Sequence, residues 1–237
     1  MKDIFELFSK MDIEDNEKDT FLNYIRLKGR FLHKQVYDTI LLTDKSAKYS
    51  EISRIIRYDK HIRDVLYKYL SALEEQWRAI AFDNFDYESD KNEVIKKEID
   101  LSKVSVKKQF ADSTFYWSSY NKSFTLNKLI DVFKANRYTL DLNITDEMYQ
   151  TIKTLRNSVM HHNLIMFSYK TTVEDVNHEI ESLESKISLL WKLLDDNMKE
   201  AFEKAINMGN YKGGDFENQL PNLNRYCLRR FSHGVFI

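Results

Sequence analysis

The sequence predicts an all-α protein, a helical bundle of long antiparallel helices. Two observations carry this. The 237 residues include only 5 Gly and 1 Pro, too few for the many turns of a long β protein. Two apolar stripes then advance mostly by three or four residues over roughly thirty positions each, which is the helical period.

Residues 2–10 read as a short helix with Ile4, Phe5 and Phe8 on one face. Residues 17–30, EKDTFLNYIRLKGR, read as a second helix. From Thr20 to Tyr37 there is no acid, while Arg26, Lys28, Arg30, His33 and Lys34 form a local basic patch. Ser50 is placed to cap the longest helix, 51–84, whose stripe is Ile52, Ile56, Ile62, Leu66, Leu70, Leu73, Trp77 and Ile80. At 1.5 Å per residue it would be roughly 50 Å long.

Residues 85–114 are polar, and KNEVIKKEIDLSKVSVKKQF within them carries six lysines against three acids. They read as a surface insertion. SFTLNKLIDVFKANR reads as a helix that Thr125 caps. Thr145 caps another, from Asp146 to about Phe167, with Asp146 and Glu147 suited to the helix dipole. A last long helix is expected over Val173–Asn207, with Val176, Ile180, Leu183, Ile187, Leu190, Leu194, Met198, Phe202 and Ile206 as its stripe. The expected division is a helical domain over 1–208 and an irregular tail over 209–237 that packs on the bundle.

A formal charge of −1 excludes a global basic field, so any nucleic acid must be held by local patches. Cys227 is the only cysteine. That excludes an internal disulfide and fits a reducing cytosol. The start reads as no secretory signal, and no run of about 18 apolar residues offers a membrane span. A cytoplasmic protein without a membrane partner is expected.

LRNSVMHHN at 155–163 sets Arg156, Asn157, His161 and His162 inside an apolar run. Asn157 and His161, four apart, share a helix face. Arg156 and His161 lie about 140° apart round the axis, so a second copy of the helix across a two-fold axis would bring such groups together. From Met148 to Val173 there is no acid, while Lys153, Arg156, His161, His162 and Lys170 are present. Histidine transfers protons near neutrality, and arginine stabilises phosphate oxygens as charge builds. These are parts for metal-free cleavage of RNA by its own 2′-hydroxyl. A packed His162 and a structural Arg156 pairing with Glu74 or Glu75 stand beside that reading. Glu74 and Arg78 are spaced for an i,i+4 ion pair. NRYCLRRFSH at 224–233 mixes Arg229 and Arg230 with aromatics, which suits RNA or simple packing. Six histidines without a second spaced ligand motif point to no metal, and no cofactor motif is present.

LRNSVMHHNLI resembles the R-N-x-x-x-H signature of the HEPN superfamily, small α-helical bundles many of which are RNases. It is most similar to the Abi-type branch, the abortive-infection proteins AbiD and AbiF. LEEQWRAIAF at 73–82 resembles that family's I-E-x-x-L-R helix, matching Glu74 and Arg78 to its acid and arginine. TLNKLIDVF at 125–133 also resembles the intervening family segment, while NYIRLKGRF at 23–31 is a loose echo of its N-terminal stretch.

The likeness covers about 20–195 and implies catalytic roles for Arg156, Asn157 and His161, supported by His162, Glu74 and Arg78. It implies a homodimer, or pairing with another such protein, because two motifs make one cleft. It also implies antiphage defence, with an antitoxin or non-coding RNA as a further partner. Arg26, Lys28, Arg30, Lys153, Lys170, Arg229 and Arg230 are the candidate RNA contacts. A non-cleaving module that holds a structured RNA, or a protein–protein adaptor, are the alternatives.

Overall fold

The computed structural model describes residues 4–84, 126, 129–130, 144–161, 164–166, 172–208 and 226–237. It is an all-α fold, with strands of only two residues each among the described residues. The helices are α1 (Ile4–Leu7), α2 (Lys18–Lys28), α3 (Arg30–Ile40), α4 (Tyr49–Asn84), α5 (Asp146–Met160), α6 (Val173–Leu193) and α7 (Asp196–Asn207). The strands are β1 (Met11–Asp12), β2 (Ala47–Lys48), β3 (Phe231–Ser232) and β4 (Val235–Phe236). Two compact units emerge, Met1–Lys68 with Asn157–Ile237, and Tyr69–Arg156.

In the first unit, β1 and β2 pair in parallel, Met11 with Ala47. Phe8, Phe21, Tyr37, Tyr49 and His33 pack edge to face around them. The expected helix over 17–30 ends at Lys28 instead. Gly29 takes φ +83, a conformation that costs glycine nothing, and α3 starts at once. The apolar spacing does not predict helix α3, because its buried face mixes Val36, Tyr37 and Ile40 with the polar His33, Gln35 and Thr39. Helix α4 begins at Tyr49, one residue before the expected cap, so Ser50 lies inside the helix, which buries Ile52, Ile55, Ile62 and Leu66 in this unit. The side chains of Ile4 and Phe5 lie outside the described set.

The expected single helix over 173–207 is two. Thr172 caps α6 by accepting from the Asp175 N–H. Leu194 then turns extended, and Asp195 caps α7 by accepting from the Asn197 N–H. The stripe runs through the break, since Leu190, Leu194, Phe202 and Ile206 are all buried and only Met198 is half-buried. The described end of the tail is ordered as a hairpin. His233 (φ +49) and Gly234 (φ +84) turn β3 into β4, the two left-handed residues of a type I′ turn. Phe231 is fully buried beside Phe202, and its backbone bonds the Asn207 side chain in both directions.

In the second unit, α4 and α5 run antiparallel. Trp77 meets Tyr149 edge to face at 5.4 Å, and further along α5 Arg156 reaches back to Glu74. Leu126, Leu129 and Ile130 are helical and buried. The expected 85–114 insertion lies outside the described residues.

A candidate site at the end of helix α5

Thr145 caps α5 as expected, accepting from the Met148 N–H at 3.2 Å. Tyr149, Ile152 and Leu155 are buried on one face. Burial, and then Asp146, push the Tyr149 hydroxyl up to about 12, so it stays protonated. The helix was expected to reach Phe167. It ends at Met160, and the His161 N–H closes its last turn on the Asn157 carbonyl at 3.1 Å.

The division between the units falls between Arg156 and Asn157. Arg156 belongs with Glu74 and Arg78. Arg78 Nη2 donates to Glu74 Oε1 at 2.5 Å, and Arg156 Nε stands 3.8 Å from Glu74 Oε2. That second distance is too long for a hydrogen bond, and this Nε has no hydrogen-bond partner among the described residues. Glu74 therefore pairs tightly with one arginine and holds the other by charge alone. The Arg156 side chain remains 33% exposed. Among the described residues, Glu74 is the acid recorded against both arginines, and a part-exposed guanidinium of this kind offers donors to an anion.

Asn157 and His161 are both exposed at the helix end. The segment that follows is tied down by a residue the sequence reading passed over. Asp59 on α4 is fully buried. Its Oδ1 accepts from the Ile165 N–H at 2.7 Å and the Met166 N–H at 3.1 Å, and its Oδ2 accepts from Arg63 Nε at 2.8 Å. Burial pushes the Asp59 carboxyl up, while Arg63 and the two amides pull the other way. All three partners are donors, so the carboxylate serves as an acceptor. The signal was present in the sequence. Asp59 stands three residues from both Ile56 and Ile62, an acid inside an apolar stripe, with Arg63 four residues on.

The remaining expected residues fall in different places. Arg26, Lys28 and Arg30 are exposed at the α2–α3 junction, and Arg26 also donates to the Asn23 side chain. Lys153 is half-buried on α5 and Arg230 is exposed. Arg229 has an intramolecular partner instead of an open fork. Its Nε and Nη2 donate to Glu184 Oε2 at 2.9 and 2.5 Å, and its backbone N–H donates to Oε1 at 2.8 Å. Glu184 is buried, so this pair, with both guanidinium donors on one oxygen and the backbone amide on the other, locks the tail onto α6. His162 and Lys170 lie outside the described residues. Among the described residues, no three His, Cys, Asp or Glu side chains gather as a metal-ligand group, and no helix is long and apolar enough to cross a membrane.

Fold and site together define an all-α chain with a polar motif at the end of a capped helix. Comparison with protein-family models, with curated proteins and with solved structures found no match.

Proposed function

We propose that this chain is an RNA-targeting, metal-independent endoribonuclease of HEPN type that acts as a dimer in bacterial antiphage defence. One observation carries the reading. Arg156 is held at one side of its guanidinium by Glu74 and remains part-exposed, and the exposed Asn157 and His161 follow within one and a half turns. A merely structural arginine would be consumed by its acid, whereas here Arg78 takes the close contact.

In this reading the ribose 2′-hydroxyl attacks the adjacent phosphorus, forming the new P–O bond as the 5′-oxygen leaves. His161 moves the proton, and Arg156 stabilises the phosphate oxygens as charge builds. Asn157 orients the substrate. Products are a 2′,3′-cyclic phosphate and a 5′-hydroxyl. The homodimer, the defence role and an antitoxin or RNA partner rest on the family resemblance.

The test is cleavage of total RNA with end-group analysis in the presence of EDTA. Arg156→Ala and His161→Ala should each abolish cleavage without lowering the melting temperature, and a 2′-deoxy nucleotide 5′ to the cut should block it. Active variants would remove the assignment. Tight binding of one structured RNA without cleavage would favour the non-cleaving module.

A further inference from the structure

Leu22, Leu27 and Phe31 are large apolar side chains that stand exposed, at 40%, 64% and 72%. All three lie at or beside the junction of α2 and α3. The junction already has a filled core face, because Phe21, Ile25, His33 and Val36 are buried on its inner side. Residues 26–31 are all exposed. A Cβ built on Gly29 meets nothing within 4 Å. The elbow therefore projects Leu27 and Phe31 outward, with Arg26, Lys28 and Arg30 around them and no acid from Thr20 to Tyr37.

The ligand must explain both kinds of side chain. An isolated phosphate uses the cations and leaves the apolar groups in water. An unpaired RNA base stacks on Phe31 but offers little to Leu27. An apolar protein face gives nothing to three cations. An anionic lipid surface takes Leu27, Phe31 and the three cations together, because apolar side chains enter the headgroup boundary while basic residues meet the phosphates. Lys28 and the arginines lay their stems along the apolar surface and keep their charges at headgroup level. The acidic half of α2 does not oppose this. Asp19 stands nine residues before Lys28, about 14 Å along the axis, beyond a Debye length of about 8 Å.

We propose that the α2–α3 elbow is a peripheral contact for an anionic bilayer, with Leu27 and Phe31 inserted and Arg26, Lys28 and Arg30 on lipid phosphates. This departs from the expectation of no membrane partner, and it holds whether or not the chain cleaves RNA. Two apolar side chains make a weak anchor, so binding should be reversible and salt-sensitive.

The full chain is sedimented with vesicles of phosphatidylcholine and phosphatidylglycerol, and with phosphatidylcholine alone. Binding is expected only to the anionic vesicles. It should weaken about fivefold for each of Arg26, Lys28 and Arg30 changed to Gln. It should be lost in the Leu27→Ser/Phe31→Ser double variant. Phe31→Trp keeps the surface and should give a blue-shifted emission with anionic vesicles, quenched by brominated acyl chains. This readout decides the matter if the double variant melts early. Arg156→Ala should bind vesicles like the wild type, so the cleavage reading and this one fail separately. No sedimentation at low salt would overturn the proposal. So would a Phe31→Trp signal that answers to single-stranded RNA or to protein concentration and not to vesicles.

Discussion

Asp59 accepts the backbone N–H of Ile165 at 2.7 Å across 106 positions of sequence. This contact returns the chain to α4 just after α5 ends, and it leaves His161 in a turn instead of inside a longer helix.

Asp59→Ala should therefore be among the most damaging substitutions in the first unit. It strands two buried amides and deprives Arg63, itself only 12% exposed, of its partner. Breaking a buried pair from one side costs about 3–5 kcal/mol. Urea unfolding should show that loss, and faster amide exchange at Ile165 and Met166 should accompany the milder Asp59→Asn. A change below about 0.5 kcal/mol for the alanine variant would contradict the assignment.

Glu74 separates two arginines, and Glu74→Gln removes the charge while keeping the shape. Stability should fall by about 1.5–3 kcal/mol, the range for a hydrogen bond to a charged group. RNA cleavage should fall much more, because Arg156 loses the charge that holds it. Glu75→Gln, at an exposed neighbour, is the control. Equal activity in the two variants would make Glu74 purely structural.

Gly234 has φ +84, and a Cβ there would stand 2.5 Å from a ring carbon of Trp191. Gly234→Ala combines backbone strain with a clash against a rigid ring. A loss of about 1–3 kcal/mol follows, in the range of strained-backbone costs. His233→Asn should be neutral or slightly stabilising, since Asn-Gly is the preferred pair for this turn. Thermal melts of the two variants should move in opposite directions, or only the first should move.

His33 is buried, and its Nδ1–H donates to the Gly29 carbonyl at 3.1 Å. Burial lowers its pKa, with the hydrogen bond to Gly29 opposing in part. The folded state therefore binds fewer protons than the unfolded chain at mildly acid pH. The stabilisation is present above the unfolded value of 6.5 and is lost as pH falls through and below it. Melting temperatures between about pH 5.5 and 7.5 should drop on acidification, and His33→Gln should reduce that slope. A wild-type melting temperature that rises on acidification, with the variant unchanged, would refute this.

The helical stripes were legible because their period is local, and the buried sets of α4, α6 and α7 largely follow it. The cap at Thr145 is also local, being a hydrogen bond to the third residue onward. Helix ends set by distant partners were not legible. Leu164, Ile165 and Met166 are as apolar as a continuing helix, and only a buried carboxylate elsewhere in the chain shows why they turn. The break at Leu194–Asp195 was hidden because the apolar spacing passes straight through it.

For the motif, sequence alone determined the residue types, their spacing and the acid-free setting, since these follow from order along one helix. Only the tertiary structure decided which acid Arg156 faces, that Arg229 is engaged by Glu184, and that Leu27 and Phe31 are left outside the core. Each of these depends on segments brought together from far apart in the chain, and on which side of a helix the core happens to fill.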